Sequence, residues 1–477
     1  MSVRVGHAAE APSFPDAAKK LIRNTQLRHN VRHATDVIRR KRAKAVAELP
    51  DWEQLRTAAH EIKEHTLRHL DFYLEQFEQN CTLAGGIVHW ARDADEANQI
   101  VVNIVKRHKA SEVIKVKTMT SDEINLNMAL ETAGIDPIET DLADLIVQLG
   151  EDKPSHIVVP ALHRNKMEVR QIFLEKMKLE ELGEEPHDLA EAARHYLRDK
   201  FLNGKVGISG VNFAIAETGA VAIVESEGNG RMCVTLPSVL ISLVGIEKVI
   251  PTFDDLEVFL QLLPRSATGE RMNPYNSIWT GVTAGDGPQE FHVVLIDNGR
   301  TNVLADEKSR ETLDCIRCGA CLNACPVYQQ TGGHAYGSIY GGPIGAILTP
   351  QLQNMKHSQS LPYASSLCGA CYDVCPVKIN IPEILVHLRG KAVEQGYGPL
   401  TERVAMKAAA VALANGDRLA KAQKLFRIGQ KLFEKDGQLN HLPGMLAGWT
   451  AFRDLDAVPQ ESFRDWWAKR TGGDERE

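Results

Sequence analysis

Apolar and polar residues recur along the chain with two periods, and the change of period marks the predicted elements. Around Ala34, Val37 and Ile38, apolar residues recur at helical spacing between charged neighbours, which predicts a helical segment over residues 1–65. Over residues 66–300, short apolar runs are separated by helical stretches of ten or more residues. This order predicts an α/β domain with a mostly parallel sheet under helical cover.

Individual elements of this α/β domain can be predicted from local signals. One helix is expected from a cap at Ser121 to Ala133, where Gly134 stops it, and another over Lys166–Leu182. The turn pair Thr218-Gly219 predicts a β-hairpin. The expected strands, of which the third and fourth form that hairpin, are Glu112–Thr118, Ser155–Pro160, Val211–Glu217, Ala220–Ser226 and Glu247–Ile250.

The pattern of apolar and polar residues changes after a turn predicted at Asn298-Gly299-Arg300. A cysteine-rich segment over residues 301–395 begins there. Inside it, the six glycines of Thr331–Pro350 disfavour a regular helix and predict a tightly folded loop. Residues 396–477 return to helical spacing, and their Ala-rich and Lys-rich stretches predict exposed amphipathic helices.

Composition narrows the class of protein. The 477 residues are 43% hydrophobic and 25% charged, which is ordinary for a soluble globular protein. The net charge of −7 gives no electrostatic case for nucleic acid, and the basic run Arg39–Lys44 is interpreted as the solvated face of a helix. No stretch approaches about 20 apolar residues, so no transmembrane segment is expected. No apolar segment follows Arg39-Arg40 as an export signal requires, so a cytoplasmic location is predicted.

Cysteine placement carries the chemistry. Seven of the nine cysteines fall in the segment 301–395, where a reducing cytosol favours a metal site over disulfides. The first four form C-x2-C-x2-C-x3-C followed by Pro326, the spacing of bacterial ferredoxins, and the last three repeat C-x2-C-x3-C-P. Zinc sites normally show two separated C-x2-C pairs, so two [4Fe–4S] clusters are predicted instead. The predicted ligands are Cys315, Cys318, Cys321 and Cys375 for cluster 1 and Cys325, Cys368 and Cys371 for cluster 2.

The fourth ligand of cluster 2 stays open, because Ser365 stands where the repeat would place its first cysteine. The cluster is then a [3Fe–4S] type, or Ser365 or a distant group completes it, or one iron remains open to an exogenous ligand. Cys81 and Cys233 are candidates for the distant group, although a small buried hydrophobe is the favoured interpretation of both.

The chain shows no dinucleotide-binding G-x-G-x-x-G after a strand, no P-loop and no haem-attachment motif. Electrons are therefore expected to enter and leave through partner proteins, or through a site that the sequence does not reveal.

The sequence resembles a known family, the iron–sulfur proteins called lactate utilization protein B. The likeness covers nearly the whole chain and rests on Glu139–His163, Gly207–Arg231, Gly332–Pro350 and the cysteine repeat. It implies an α/β lactate-utilization domain resembling the isomerase and coenzyme A transferase fold, an α-helical ferredoxin-type [4Fe–4S] domain and a helical C-terminal extension. It also implies a three-protein system that oxidises L-lactate to pyruvate. The implied partners are a cysteine-rich subunit like those of heterodisulfide reductases and a smaller protein with the lactate-utilization domain.

Folds of that class bind ligands at the carboxyl ends of strands, which selects further candidates. A Gly-Asn loop with an arginine is able to bind a small anion, but a hairpin turn with a solvated loop explains the same residues. The histidines are candidate bases or hydrogen-bonded structural residues. Surface solvation is the expected role of Lys115 and Lys117, and Trp449, Trp466 and Trp467 either dock a partner or pack internally. The anion and base candidates are Glu217, Thr218, Gly219, Glu225, Glu227, Gly228, Asn229, Arg231, His156, His163 and His334.

Two functions are compatible with these features of the sequence. The first is an electron-transfer subunit of a complex that oxidises L-lactate, and the missing flavin motif favours it, because a 2-hydroxy acid usually gives its electrons to a two-electron acceptor. The alternative is a self-contained iron–sulfur oxidoreductase that binds a small 2-hydroxy acid in the α/β domain. A regulatory iron sensor is disfavoured, since no nucleic-acid module is visible.

Overall fold

The computed structural model describes residues 11–471 and divides between Glu394 and Gln395 into two compact units. The first unit holds the α/β domain and the cysteine-rich insert, and the second is a small helical unit with short strands. The strands of the first unit are β1 Ile87–Ala91, β2 Glu112–Lys115, β3 Asp136–Glu139, β4 Val206–Gly210, β5 Phe213–Ile215, β6 Ala220–Glu225, β7 Val239–Gly245, β8 Val249–Ile250, β9 Tyr275–Trp279 and β10 Glu290–Ile296.

Helices surround these strands in three groups. Four N-terminal helices are α1 Phe14–Leu21, α2 Thr25–Ala47, α3 Trp52–Arg68 and α4 Leu70–Leu83. The α/β domain adds α5 Ala94–Arg107, α6 Met119–Glu123, α7 Leu126–Thr132, α8 Leu142–Leu149, α9 Lys166–Lys176, α10 Pro186–Asn203, α11 Asn229–Thr235, α12 Phe253–Ala267 and α13 Arg300–Leu304. The insert contributes α14 Ala320–Ala324, α15 Tyr328–Thr331, α16 Gly342–Leu352, α17 Met355–Ser358, α18 Ala370–Asp373 and α19 Ile381–Glu394.

The main sheet has six parallel strands in the order β1-β10-β7-β4-β2-β3, which confirms the predicted parallel α/β architecture. Both of its faces are buried, as the side chains of β7 illustrate. Ile241 and Leu243 join the core under α5 and α7, whereas Leu240 and Val244 face α4 and the second sheet. Parallel sheets need helices on both faces, and the near-continuous apolar strands of this chain meet that need.

A second, four-stranded sheet follows the order β8-β5-β6-β9. Its β5 and β6 form the antiparallel hairpin predicted around Gly219, whose φ of 67° suits a glycine at the turn. The short strand predicted at Glu247–Ile250 survives only as Val249–Ile250, because a 3₁₀ turn over Ile246–Lys248 precedes it.

Several segments of the α/β domain differ from their predicted conformations or bounds. Ser155–Pro160 is not a strand: its backbone turns back, with the N–H of Ser155 donating to the carbonyl of Pro160. The helix predicted over Lys166–Leu182 ends at Lys176. Strand β2 likewise ends at Lys115, and Thr118 rather than Ser121 caps the helix that follows.

The glycine-rich stretch Thr331–Pro350 was expected to be a loop, and that prediction is wrong for its second half. Helix α16 begins at Gly342, and its residues from Gly342 to Pro350 are all buried. Pro343 lies in the first turn, where a missing N–H costs nothing. Dense packing therefore overrides the low helix propensity of glycine.

The predicted surface solvation of Lys115 is wrong, because its side chain is buried. Its Nζ lies 2.6 Å from Glu139 Oε1 and 2.6 Å from Asn127 Oδ1, while Asn127 Nδ2 donates to the same carboxylate at 2.8 Å. Lys115 is 1% exposed. The pair joins β2 to β3 beneath the carboxyl edge of the sheet.

The second unit contains α20 Leu400–Leu413, α21 Gly416–Gln430, α22 Ala447–Thr450 and α23 Phe463–Thr471, with a small antiparallel sheet of β11 Glu434–Lys435, β12 Gln438–Leu439 and β13 Leu455–Asp456. No residue of α20 is buried, which confirms the prediction of exposed helices. Trp449, Trp466 and Trp467 are also exposed, against the alternative of core packing. Within the part of the chain that the structure describes, no helix has the length and apolarity needed to cross a bilayer.

The buried pair yields a stability prediction. Lys115→Met should lower the free energy of unfolding by about 3–5 kcal/mol, because it leaves the Glu139 carboxylate buried without its cation. Urea unfolding followed by circular dichroism measures the loss. Lys106→Met, at an exposed position on α5, is the matched control and should change stability little. Equal effects of the two substitutions would contradict the structural role given to Lys115.

Candidate functional site

Two loops of the insert share one backbone design. Residues 315–327 read CIRCGACLNACPV and residues 365–377 read SSLCGACYDVCPV. In each loop the residue before the second cysteine position is left-handed, with φ of 61° at Arg317 and 55° at Leu367, and a left-handed glycine follows, Gly319 or Gly369. A short helix, α14 or α18, then carries the next cysteine. The repeat in sequence is thus a repeat in structure.

The first loop and the end of the second enclose one cavity. Its thiols belong to Cys315, Cys318, Cys321 and Cys375, the four that the ferredoxin spacing assigns to a single site. The remaining wall is mostly apolar and includes Ile157, Ile316, Ile344, Pro376, Val377, Ile379 and Ile381. Among the residues that the structure describes, no carboxylate or imidazole lines this cavity.

Backbone amides point at these sulfurs. The N–H of Arg317 donates to Cys315 Sγ at 3.4 Å, and the N–H of Ile379 donates to Cys375 Sγ at 3.4 Å. Burial raises the pKa of the Cys318 thiol to about 12, so the free thiol is protonated at neutral pH. The hydrogen bonds from the Arg317 and Ile379 amides stabilise the thiolate charge that metal ligation creates.

The sulfur spacing tests which metal group fits. Among the described residues, no three cysteine sulfurs lie within 4.8 Å of one another. A single tetrahedral zinc ion, at a Zn–S distance of about 2.3 Å, would hold its sulfurs about 3.8 Å apart. The arrangement therefore suits a larger group with soft thiolate ligands better than one ion.

The remaining cysteines of the repeat, Cys325, Cys368 and Cys371, form a second group. Burial, helped by the neighbouring thiols of Cys325 and Cys368, raises the pKa of Cys371 to about 12. The amides of Val327 and Tyr328 donate to the sulfur of Cys325. Cys368 is exposed, whereas the other two are buried. This group lies nearer the surface than the first.

Ser365 occupies the place that Cys315 holds in the first loop. Its Oγ accepts the N–H of Leu367 at 3.1 Å, the same contact between residues i and i+2 that Cys315 Sγ receives from Arg317. Arg389 donates to the carbonyls of Pro362 and Ser365 and lies over the ring of Tyr363, which holds the loop. The serine oxygen therefore takes the position of the missing thiol within its own loop.

Basic side chains surround the first cysteine group. Arg42 donates to the carbonyl of Val374 at 3.0 Å, and Arg56 donates to the carbonyl of Cys375 at 2.9 Å. Lys63 donates to the carbonyl of Glu247, whose carboxylate receives Arg317 at 3.2 Å. Burial lowers the pKa of Lys248 to about 7, with Arg317 acting in the same direction and the Cys315 thiol against it. Sequence reasoning missed this set, because the N-terminal helices that supply half of it are remote in the chain.

The histidine candidates are hydrogen-bonded structural residues. His156 accepts the N–H groups of Val158 and Val159 at Nδ1 and donates from Nε2 to Asn323 Oδ1 at 3.2 Å. Burial lowers the pKa of His156 to about 3, so the ring stays neutral. His163 joins Ser155 Oγ and Asp152 Oδ2, each at 2.8 Å, and His334 packs against its ring.

The strand-end candidates follow the alternative of a hairpin turn and a loop, and do not form an anion-binding loop. The carboxylate of Glu225 accepts the N–H groups of Glu227, Gly228 and Arg231, so these donors are already used. Glu217 accepts the N–H of Phe253, and Thr218-Gly219 is a hairpin turn. Asn229 is the exception: it is 7% exposed, donates to Thr140 Oγ1 at 3.1 Å, and leaves its Oδ1 without a partner.

Cys81 and Cys233 lie outside the two groups. Both are fully buried, Cys81 among the apolar side chains around α4 and Cys233 among those around α8 and α10. Their environments agree with the role of small buried hydrophobes.

Comparison with known proteins adds family matches to this geometry. A LUD domain model matches residues 74–296, a 4Fe-4S dicluster domain model matches residues 311–379, and a model described as Lactate utilisation protein B, C-terminal, matches residues 387–472. The dicluster match identifies the cysteine-rich insert as an iron–sulfur domain, as the spacing of its sulfurs favours.

Relatives extend the match to the whole chain. The chain is 42% identical to lactate utilization protein B of Bacillus licheniformis and 42% identical to that of Bacillus subtilis strain 168, each over 98% of both chains. It is 43% identical to that of Shouchella clausii over 97% of this chain and 98% of the relative. A solved structure, a DUF162 family protein from Deinococcus radiodurans, covers 48% of this chain and 98% of its own at 13% identity, and its TM-score of 0.28 is too low to carry an argument.

The site geometry gives a direct test of ligation. Cys318→Ser should remove about half of the iron bound per chain, because a thiolate facing the first cavity is lost. Iron and sulfide analysis after anaerobic purification measures this. Cys233→Ser, a buried cysteine beside Thr140, is the control and should keep its iron. Full iron content in Cys318→Ser would remove Cys318 from the ligand set.

Proposed function

The chain belongs to the lactate utilization protein B family, and on that premise we propose that it is the iron–sulfur electron-transfer subunit of a complex that oxidises L-lactate to pyruvate. One observation carries the proposal: Cys375, from the second loop, faces the cavity of the first loop together with Cys315, Cys318 and Cys321. This crossing is how a ferredoxin repeat places two clusters side by side.

The proposed ligands follow from that crossing. Cluster 1 takes Cys315, Cys318, Cys321 and Cys375, and cluster 2 takes Cys325, Cys368 and Cys371, with the oxygen of Ser365 in the fourth place. When bound, both clusters supply one-electron transfer. The protein holds the two sites within one insert, so that two electrons from one 2-hydroxy acid have two neighbouring carriers.

The ligands of the two proposed clusters differ in how deeply they are buried. Cys318 and Cys375 lie inside the unit, beside the carboxyl edge of the main sheet, while Cys368 is exposed. We therefore assign the exchange of electrons with another protein to the Cys368 side. The proposed partners are a cysteine-rich subunit like those of heterodisulfide reductases and a smaller protein with the lactate-utilization domain.

The alternative, a self-contained oxidoreductase, also has an observation in its favour. Polar side chains of the α/β domain collect at the carboxyl edge of the sheet, in contact with the first cysteine loop through His156 and Asn323. Turnover of L-lactate by the isolated chain with an artificial electron acceptor would support this second function. An isolated chain with intact clusters and no turnover would support the first.

Cluster content is the first test of the proposal. The anaerobically purified chain should contain about eight irons and show electron paramagnetic resonance signals only after reduction. About seven irons with a signal in the oxidised sample would indicate a [3Fe–4S] cluster 2. Zinc without iron would refute the electron-transfer proposal.

The fourth ligand of cluster 2 is tested by Ser365→Cys. A thiolate in place of the hydroxyl should change the spectrum of cluster 2 and leave that of cluster 1 unchanged, because Ser365 matches Cys315 in its loop. Ser366→Cys, one residue further along, is the control. An unaltered spectrum of Ser365→Cys would place the fourth ligand elsewhere.

The arginines near the first cysteine group predict how the midpoint potential of cluster 1 responds to substitution. Arg42→Gln should lower the midpoint potential of cluster 1 by on the order of tens of millivolts, because a nearby cation stabilises the more negative reduced state. Arg40→Gln removes an exposed charge from the same helix and should have a smaller effect, since water screens it. Redox titration followed by electron paramagnetic resonance compares the two variants, and equal potentials would contradict the assignment.

A further inference from the structure

The order of the main sheet places a topological switch point between β2 and β4. From β2 the chain continues to β3 on one side, and from β4 it continues towards β7 on the other. Loops that leave neighbouring strands in opposite directions open a crevice at the carboxyl ends, which is where α/β proteins bind ligands. Lys117 lies at this point, two residues after the end of β2. The crevice is defined here by Lys117, Asp122, Asp144 and Asn229.

Four buried polar atoms without partners belong to this crevice and to the adjoining insert. They are Lys117 Nζ, Asp144 Oδ2, Asn229 Oδ1 and, on the adjoining insert, Asn323 Nδ2. Asn229 and Asn323 are 7% and 2% exposed. A buried polar atom without a partner is costly, so these four atoms are candidates for contacts with a ligand.

Electrostatic effects and hydrogen bonds connect these groups in steps. The charge of Lys117 acts on Asp122, Asp144 and His156. His156 in turn donates to Asn323 Oδ1 at 3.2 Å, and Asn229 donates to Thr140, the residue before the cap of α8. Because Lys115 is already paired with Glu139, Lys117 is the cation left for a ligand among the described residues that define the crevice.

A cavity opens on one side of the crevice, at its two aspartates. Asp122 and Asp144 line it together with Ser121, Asn127 and Gln148. Burial raises the pKa of both aspartates, so each carries its negative charge less readily than an exposed aspartate. Lys117 opposes a metal cation here, and among the described residues neither aspartate belongs to a cluster of three close metal-ligand atoms.

The unsatisfied atoms define the chemical class of the ligand. Two are donors, Lys117 Nζ and Asn323 Nδ2, and these suit a carboxylate. Asn229 Oδ1 is an acceptor, and Asp144 Oδ2 accepts when the carboxyl is ionised and can donate when it is protonated, so both suit a hydroxyl group. We propose that the switch-point crevice binds a small hydroxycarboxylate anion through Lys117 and Asp144, an inference that deepens and rests on the proposed role in lactate oxidation.

The position of the crevice links it to the first cysteine group. His156 and Ile157 are adjacent in the chain, and Ile157 lines the cysteine cavity. A Cβ on Gly319 would lie 3.4 Å from the His156 ring. The segment that borders the ligand therefore also packs against the cysteine loop, which places the bound anion beside cluster 1.

Calorimetry on the full, cluster-containing chain under anaerobic conditions tests the proposal with two probes. L-Lactate should bind, and propionate, which lacks only the hydroxyl, should bind about tenfold or more weakly, because Asp144 then loses its partner. Lys117→Met should weaken L-lactate binding by about tenfold or more. Asp144→Asn should reduce the difference between the two probes. Lys106→Met, exposed on α5, should bind L-lactate as the natural chain does.

Iron content and circular dichroism of each variant establish that it is folded. No binding of L-lactate by the natural chain, or undiminished binding by a folded Lys117→Met variant, would overturn the site. A chain with reducible clusters and no L-lactate binding would refute the crevice and leave the electron-transfer proposal standing. Binding without reducible clusters would refute electron transfer and support the crevice.

Discussion

One buried arginine connects the sheet to the cysteine loop. Arg300 is fully buried and contacts two carboxylates, Glu123 at 2.8 and 3.0 Å and Glu247 at 2.5 Å. Glu247 also receives Arg317, which precedes Cys318, and Glu123 receives the hydroxyl of Tyr340 at 2.6 Å. The pKa of Glu247 is lowered to about 2: burial opposes ionisation, but the two arginines outweigh it. Because a buried charge without its partner is costly, this network fixes where the insert sits on the sheet.

The two cysteine loops share a backbone design but differ in surroundings. Arg42 and Arg56, from helices α2 and α3, reach the carbonyls that end the second loop, on the side that faces the first group. Cys368, in the second group, is instead exposed to solvent. A duplicated motif thus provides two sites of unequal charge and exposure, and inequality of that kind separates the potentials of neighbouring clusters.

The parts of the structure that depend on local spacing could be predicted from the sequence. The cysteine repeat, the hairpin at Gly219 and the alternation of strands and helices are local signals, and all three hold. The failures share a tertiary cause. Lys115 is buried because Glu139, on the next strand, neutralises it, and α16 is helical because its whole surface is packed. Ser155–Pro160 turns because His156 accepts its amides. None of these partners is visible in the segment itself.

The same reasoning explains why the crevice is hard to recognise in sequence. Lys117 and Asp144 lie 27 positions apart, and Asn323 belongs to a different domain, so only the sheet order and the Arg300 network bring them together. The ferredoxin-type insert leaves the α/β domain after β10, yet its α14 returns to the segment that follows α8, where His156 meets Asn323. That return places the strand ends of one fold against the cysteine loop of another. The proposed ligand site and the first cysteine group become neighbours through packing alone, without any motif that spans them.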